Sequence, residues 1–343
     1  MNSLRSAKTQ EQPSKTEAFP AAYLHHTVLS WLRVIMALLV SVSYATSLAL
    51  LPIDAFKDRD NYLYYAEFSS YIIERFASSG LLSLLSNEPL WLLVNASIGQ
   101  LLSPEWTIRA IIFASAFTTS FVLFRKYSGH LIWITLFLLS PQILKDFVIH
   151  LRQGLGLSIF LLGYFASPLW IRALLTTSAG LIHSSFFIVT AIGMTAYFSE
   201  RISVNSLIRI GLVTALFTAT IFSLIEIANF LGARQADRYA DTALQISGLG
   251  FLLWAGVLAV FLTAGPRFIE DHIFAASLLS CYLAAYFVTP VAARIFESGL
   301  PIVLTAGLFL KPLHKMIFLS IFVFYGAYMY ISVSGTPWLG WGI

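Results

Sequence analysis

Residues 106–124 read WTIRAIIFASAFTTSFVLF, nineteen positions in which Arg109 is the only charge. A helix of that length rises about 28 Å at about 1.5 Å per residue, close to the thickness of a bilayer's hydrocarbon core. Comparable apolar runs recur on both sides of it, at 31–51, 131–149, 153–168, 207–231, 248–266, 273–290, 299–310 and 316–334. The pattern predicts an all-α polytopic transmembrane protein with about ten or eleven membrane helices. Composition agrees. Of 343 residues, 58% are apolar, 15% aromatic and 11% charged, whereas soluble domains carry charge on about a quarter of their residues. Mean hydropathy is +0.78. This excludes a soluble enzyme, a nucleic-acid binder and a secreted disulfide scaffold. The single cysteine, Cys281, rules out an internal disulfide and a cysteine-based metal site.

Residues 1–25 are expected to form a disordered cytoplasmic tail without a cleavable signal peptide, and 26–343 one integral membrane domain without internal repeats. Two apolar stretches do not match a simple span. Residues 88–102 are short for a crossing, and 171–198 are long for one span but short for two. Basic residues favour the cytoplasmic side of a bilayer. With the N-terminus inside, Arg125, Lys126, Arg172, Arg201, Arg267, Lys311 and Lys315 all become cytoplasmic if 88–102 does not cross and 171–198 forms two half-helices meeting near His183. The inner side then holds 12 Lys and Arg against 5 Asp and Glu, and the outer side 9 against 11. The pI near 9.1 follows from this orientation bias, because the basic residues are scattered between spans.

Polar chemistry collects on the predicted outer side. After the first span, Asp60, Tyr64, Glu67, Tyr71 and Glu74 recur at helical spacing, with Leu63, Phe68, Ile72, Ile73 and Phe76 as the apolar partners. This describes an amphipathic interfacial helix ending near Gly80. Arg152, in HLRQGLGLSIFLLG, opens a span beside Gly154 and Gly156, where its fork could grip a phosphate with paired hydrogen bonds. His183 sits at the expected break in AGLIHSSFFIV, either as a structural hydrogen-bonder or as a base or phosphate donor. Asp60 could orient a hydroxyl or act as a base. Glu88, before Pro89, could be a helix-start anion or a site residue. Arg109 near Glu105 suits a structural ion pair or substrate contact. Arg238, Tyr239 and Arg294 are further outer-side candidates for sugar or phosphate. Several arginines, with His183 the one histidine among the candidates, fit a polyanionic, phosphate-bearing substrate. An ion pump would string acids through its spans, and only Glu226 lies well inside one, Asp146 standing near the end of 131–149.

In this order, Asp60-x-x-x-Tyr64, Glu88-Pro89, Arg152-Gln153-Gly154, His183-Ser184-Ser185, Arg238-Tyr239 and Arg294 resemble the EpsG/Wzy-like family of bacterial polysaccharide polymerases, over roughly residues 30–335. The opening layout is also similar to GT-C glycosyltransferases, which place an acid and interfacial helices in the first outer loop. Gly156, where the family often has Ala, is a small departure. The resemblance implies polymerisation of undecaprenyl-diphosphate-linked oligosaccharide repeats on the periplasmic face of the inner membrane, with release of undecaprenyl diphosphate. It implies Arg152 and Arg294 against the diphosphate, His183 as base or second phosphate contact, and Asp60 or Glu88 orienting or deprotonating the acceptor hydroxyl. Arg238, Tyr239, Tyr64 and Arg109 would contact substrate. No cofactor and no metal are expected. A chain-length regulator and a flippase of the same pathway are the implied partners. The alternatives are a polyprenyl-phosphate-sugar-dependent GT-C glycosyltransferase and a lipid-linked oligosaccharide flippase. A flippase should show polar residues through the bilayer and internal repeats.

Overall fold

The computed structural model describes residues 19–201, 204–223, 226 and 248–342. Among the described residues there is no strand, only an isolated bridge between Phe56 and Gly342. The helices are α1 (Phe19–Ala49), α2 (Arg59–Ser78), α3 (Leu81–Ser86), α4 (Pro89–Gly99), α5 (Pro104–Lys126), α6 (Leu131–Leu138), α7 (Pro141–Val148) and α8 (Leu151–Tyr164). They continue as α9 (Leu169–Ile182), α10 (Ser185–Phe198), α11 (Ser206–Phe222), α12 (Gly248–Thr263), α13 (Pro266–Asp271), α14 (Ile273–Ala285), α15 (Val291–Gly307) and α16 (Pro312–Val333). The chain is an all-α membrane protein.

Proline sets several of the starts. Pro89, Pro104, Pro141 and Pro312 each occupy the first helical turn, where the missing N–H costs nothing. Three described helices are long and apolar enough to cross a bilayer singly: the 19 residues Trp31–Ala49 of α1, α5 with 23 and α16 with 22. The run expected at 131–149 is instead broken, with Ser128–Leu138 and Pro141–Val148 meeting at 71°. The expected spans at 153–168 and 273–290 become helices of 14 and 13 residues. These rise only about 20 Å, short of the roughly 30 Å core. Much of the expected roster of full spans is therefore built from shorter helices packed on one another. The two half-helices expected in 171–198 are α9 and α10, which part at His183.

The interior gathers on α15, which is buried without interruption from Ser298 to Gly307. It starts at Val291, eight residues before the expected Gly299, because Arg294 and Glu297 belong to its first turns rather than to a loop. α8 packs between α5 and α9, and α10 lies against α14 and α15. α16 faces outward, with Phe324 and Ile331 about three-quarters exposed. An apolar surface of that kind suits lipid contact. α2 lies across α4 and α5. Its start is pinned by the C-terminal segment: the Lys57 ammonium donates to the Gly340 carbonyl at 3.1 Å, and Phe56 packs against Trp338 with ring centroids 5.1 Å apart.

Candidate functional site

Glu88 organises the site. It precedes α4 with φ 59° and ψ 56°, the left-handed region that non-glycine residues rarely adopt. Pro89 behind it narrows its backbone choices further. Such strain costs about 1–3 kcal/mol and persists where surrounding contacts over-determine it. Here the Asn87 amide donates to the Ser83 carbonyl at 2.7 Å, bracing the turn. The Glu88 side chain is 1% exposed and both of its oxygens are engaged. One faces Nδ1 of His183 at 2.8 Å, and the other accepts from Nη1 of Arg152. Burial by itself would raise the carboxyl's pKa. The Arg152 charge, with the hydrogen bond and charge of His183, outweighs it and holds Glu88 at about 2.

Arg152 projects from the first turn of α8. Beyond Glu88, its guanidinium is within hydrogen-bonding reach of the buried Tyr62 hydroxyl, and it lies over the Tyr65 ring at 5.9 Å. Burial pushes the Tyr62 hydroxyl's pKa up. Glu88 engages one terminal nitrogen of the fork, and a guanidinium has five N–H donors to offer. Gly154 lets α8 approach this closely, since a Cβ there would sit 2.3 Å from the Asp146 carbonyl oxygen. His183 is the extended residue between α9 and α10. With Nδ1–H donated to Glu88, its Nε2 is left as an acceptor.

The RQG and HSS segments meet on α15. Gln153 Nε2 donates to the Arg294 carbonyl at 3.4 Å, and the Ser185 and Ser298 hydroxyls lie 2.6 Å apart. The Arg294 side chain itself is exposed. His150, two residues before Arg152, stands where the charges of Lys145, Arg294, His183 and Arg152 all bear on it.

A second polar cluster adjoins the first. Lys145 of α7 and Glu297 of α15 pair at 2.5 Å, and Asp146 is fully buried with neither carboxylate oxygen hydrogen-bonded. Asp146, His150 and Glu297 offer ligand atoms within 4.8 Å of one another, a grouping able to hold a metal ion. Lys145 already neutralises one of the two carboxylates, so an added cation would compete with it.

Of the residues expected from sequence, the fold brings Arg152, Glu88 and His183 into contact and ties the Arg294 backbone to Gln153 beside Arg152. Asp60 and Tyr64 lie on the exposed face of α2, away from the face that carries Tyr62. Arg109 binds Glu105 at 2.8 Å and donates to the carbonyls of Ala49 and Leu51 at the end of α1. Arg238 and Tyr239 fall outside the described residues. Tyr62, Tyr65, Lys145, Asp146, His150 and Glu297 are additions from the structure. The plainest signal for them in the sequence was His150, between Ile149 and Leu151 and two residues before Arg152.

Fold and site together define a polytopic helical membrane protein with an Arg–Glu–His centre built on the buried Glu88. The EpsG family model matches residues 32–340, and the chain belongs to the EpsG family. Comparison with curated proteins and with solved structures finds no match. Family membership supports a function of the polysaccharide-polymerase type.

Proposed function

We propose that this protein polymerises undecaprenyl-diphosphate-linked oligosaccharide repeats on the outer face of the bacterial cytoplasmic membrane. The observation that carries this is Glu88 holding Arg152 with one oxygen and His183 with the other. The reaction needs a cationic fork for the departing diphosphate and a base for the acceptor hydroxyl, and these two residues supply them side by side. His183 Nε2 takes the proton as the hydroxyl oxygen attacks the anomeric carbon of the growing chain. The bond from that carbon to the diphosphate oxygen breaks, and undecaprenyl diphosphate leaves with its charge against Arg152 and Arg294. Glu88, ionised at neutral pH and with both oxygens engaged, is a positioning residue and a poor base. It orients His183 and stabilises the imidazolium.

The charge asymmetry supports placing this centre outside, since the expected cytoplasmic turns collect the basic residues. The test is a strain deleted for the gene and complemented with wild type or Arg152→Ala, with surface polysaccharide length read on a gel. Loss of the ladder to a single repeat, rescued by wild type alone, supports polymerisation. An unchanged ladder with altered sugar composition would make the protein a single-sugar transferase.

A further inference from the structure

On α15, Arg294 and Glu297 are one turn apart, and a cavity of about 330 Å³ lies against the face of the same helix that carries Ala293, Phe296, Glu297 and Leu300. Its walls include Tyr282 and Tyr286 at the end of α14, Tyr325 and Tyr328 of α16, Gln142 of α7 and Glu297. The volume lies at the small end of ligand pockets. The aromatic wall is ordered by its own packing: Tyr282 stacks on Phe296 at 4.2 Å, and Trp254 meets the same ring edge-on at 4.8 Å. The polar groups are held as well, with Tyr325 bonded to Gln142 and Glu297 to Lys145.

The lining selects among occupants. A hydrocarbon chain would leave the buried Gln142 amide nitrogen, which has no hydrogen-bond partner among the described residues, and the remaining bonding capacity of the Tyr328 hydroxyl and the Glu297 carboxylate facing only carbon. A phosphate would meet the Glu297 carboxylate. A neutral sugar offers C–H faces to the aromatic rings and hydroxyls to the polar groups. Arg294 is not in that lining, so the two faces of one helix would sort the two ends of a lipid-linked glycan, diphosphate to the arginines and sugar to the cavity.

We propose that this tyrosine-lined cavity beside Lys145–Glu297 is a saccharide subsite for a sugar ring of the lipid-linked substrate. The proposal rests on the functional reading above, and its test separates the two. The full chain in lipid nanodiscs is titrated with the repeat-unit oligosaccharide released from the strain's own surface polysaccharide, free of lipid and phosphate. Tyr328→Ala, which leaves the buried ion pair intact, should weaken binding about tenfold. It should raise KM for the lipid-linked repeat by a similar factor with kcat within about twofold. Tyr328→Phe, which keeps the ring, should fall between. Equal binding by wild type and Tyr328→Ala overturns the proposal. So does displacement of the oligosaccharide by undecaprenyl phosphate lacking a sugar, which would assign the cavity to the lipid chain. Wild-type protein that binds the oligosaccharide through Tyr328 without polymerising would refute the functional reading and leave the subsite standing.

Discussion

Replacing Glu88 with Gln removes one charge from a site nearly closed to water and hardly changes its shape. Glu88 is 1% exposed at its side chain and Arg152 19%. Breaking a buried ion pair by neutralising one partner costs about 3–5 kcal/mol. Arg152 keeps some solvent and its contacts with Tyr62 and Tyr65, which puts this case at the lower end, about 3 kcal/mol. The fall of the Glu88 carboxyl from 4.5 to about 2 corresponds to a similar amount, about 3 kcal/mol. Because the folded state holds this group more acidic than the unfolded one, the stabilisation is fully present above pH 4.5. It disappears as pH falls to about 2. Thermal unfolding in nanodiscs should therefore show Glu88→Gln less stable at pH 7, with wild type approaching it below pH 4.5. The glutamine carbonyl can still accept from His183 Nδ1, but the imidazolium formed in the reaction loses its counter-charge. Chain growth should fall by about 10²–10⁴. Adding Arg152→Met should recover stability relative to Glu88→Gln without recovering activity, since both buried charges are then gone. Wild-type stability at pH 7 together with normal chain growth in Glu88→Gln would refute the reasoning.

Arg152→Lys should lose most polymer, because an ammonium lacks the planar fork that serves Glu88 and a diphosphate together; full ladder length would show that charge alone suffices. Gly154→Ala places a Cβ 2.3 Å from a backbone oxygen, so α7 and α8 must separate, and folded yield and thermal stability should drop sharply. Wild-type stability in the Gly154→Ala protein contradicts that packing. Asp60→Asn alters an exposed residue and should leave chain growth within about twofold, within the usual range for surface changes. Abolished growth would bring α2's outer face into the reaction. Membrane-impermeant thiol labelling of Asp60→Cys and Arg294→Cys should occur from outside intact cells, over low background because native Cys281 is buried. Labelling only after permeabilisation would invert the topology.

The parts of the fold legible in the sequence are those set by local physics. Apolar runs bounded by Pro104 and Pro312 give helix positions, whereas Pro141, inside the expected 131–149 run, marks a break that hydropathy alone passes over. Arg152, Glu88 and His183 stood out because polar groups amid apolar ones are costly without partners, and the structure supplies those partners from within the same trio. On α2 the exposed stripe of Asp60, Tyr64, Glu67, Tyr71 and Glu74 was legible, but the part played by Tyr62 and Tyr65 on the other face was not. Asp60 and Tyr64 share one helical stripe and Tyr62 and Tyr65 another, and packing of the second against Trp91 decides which is buried. Phe68, expected on the apolar side, is 40% exposed for the same reason. The Lys145–Glu297 pair joins residues 152 positions apart, a separation that local periodicity does not encode. It also explains the early start of α15, whose charged first turns read as a loop until Lys145 is placed beside Glu297.

The most direct measurement is reconstitution of the purified chain in nanodiscs with its lipid-linked repeat, following glycan length and released lipid together. Growth of the glycan with one undecaprenyl diphosphate released per linkage formed, lost in Arg152→Ala, is the predicted result. Release of a monophosphate lipid with addition of one sugar, or polymer formed at the wild-type rate without Arg152, would contradict it.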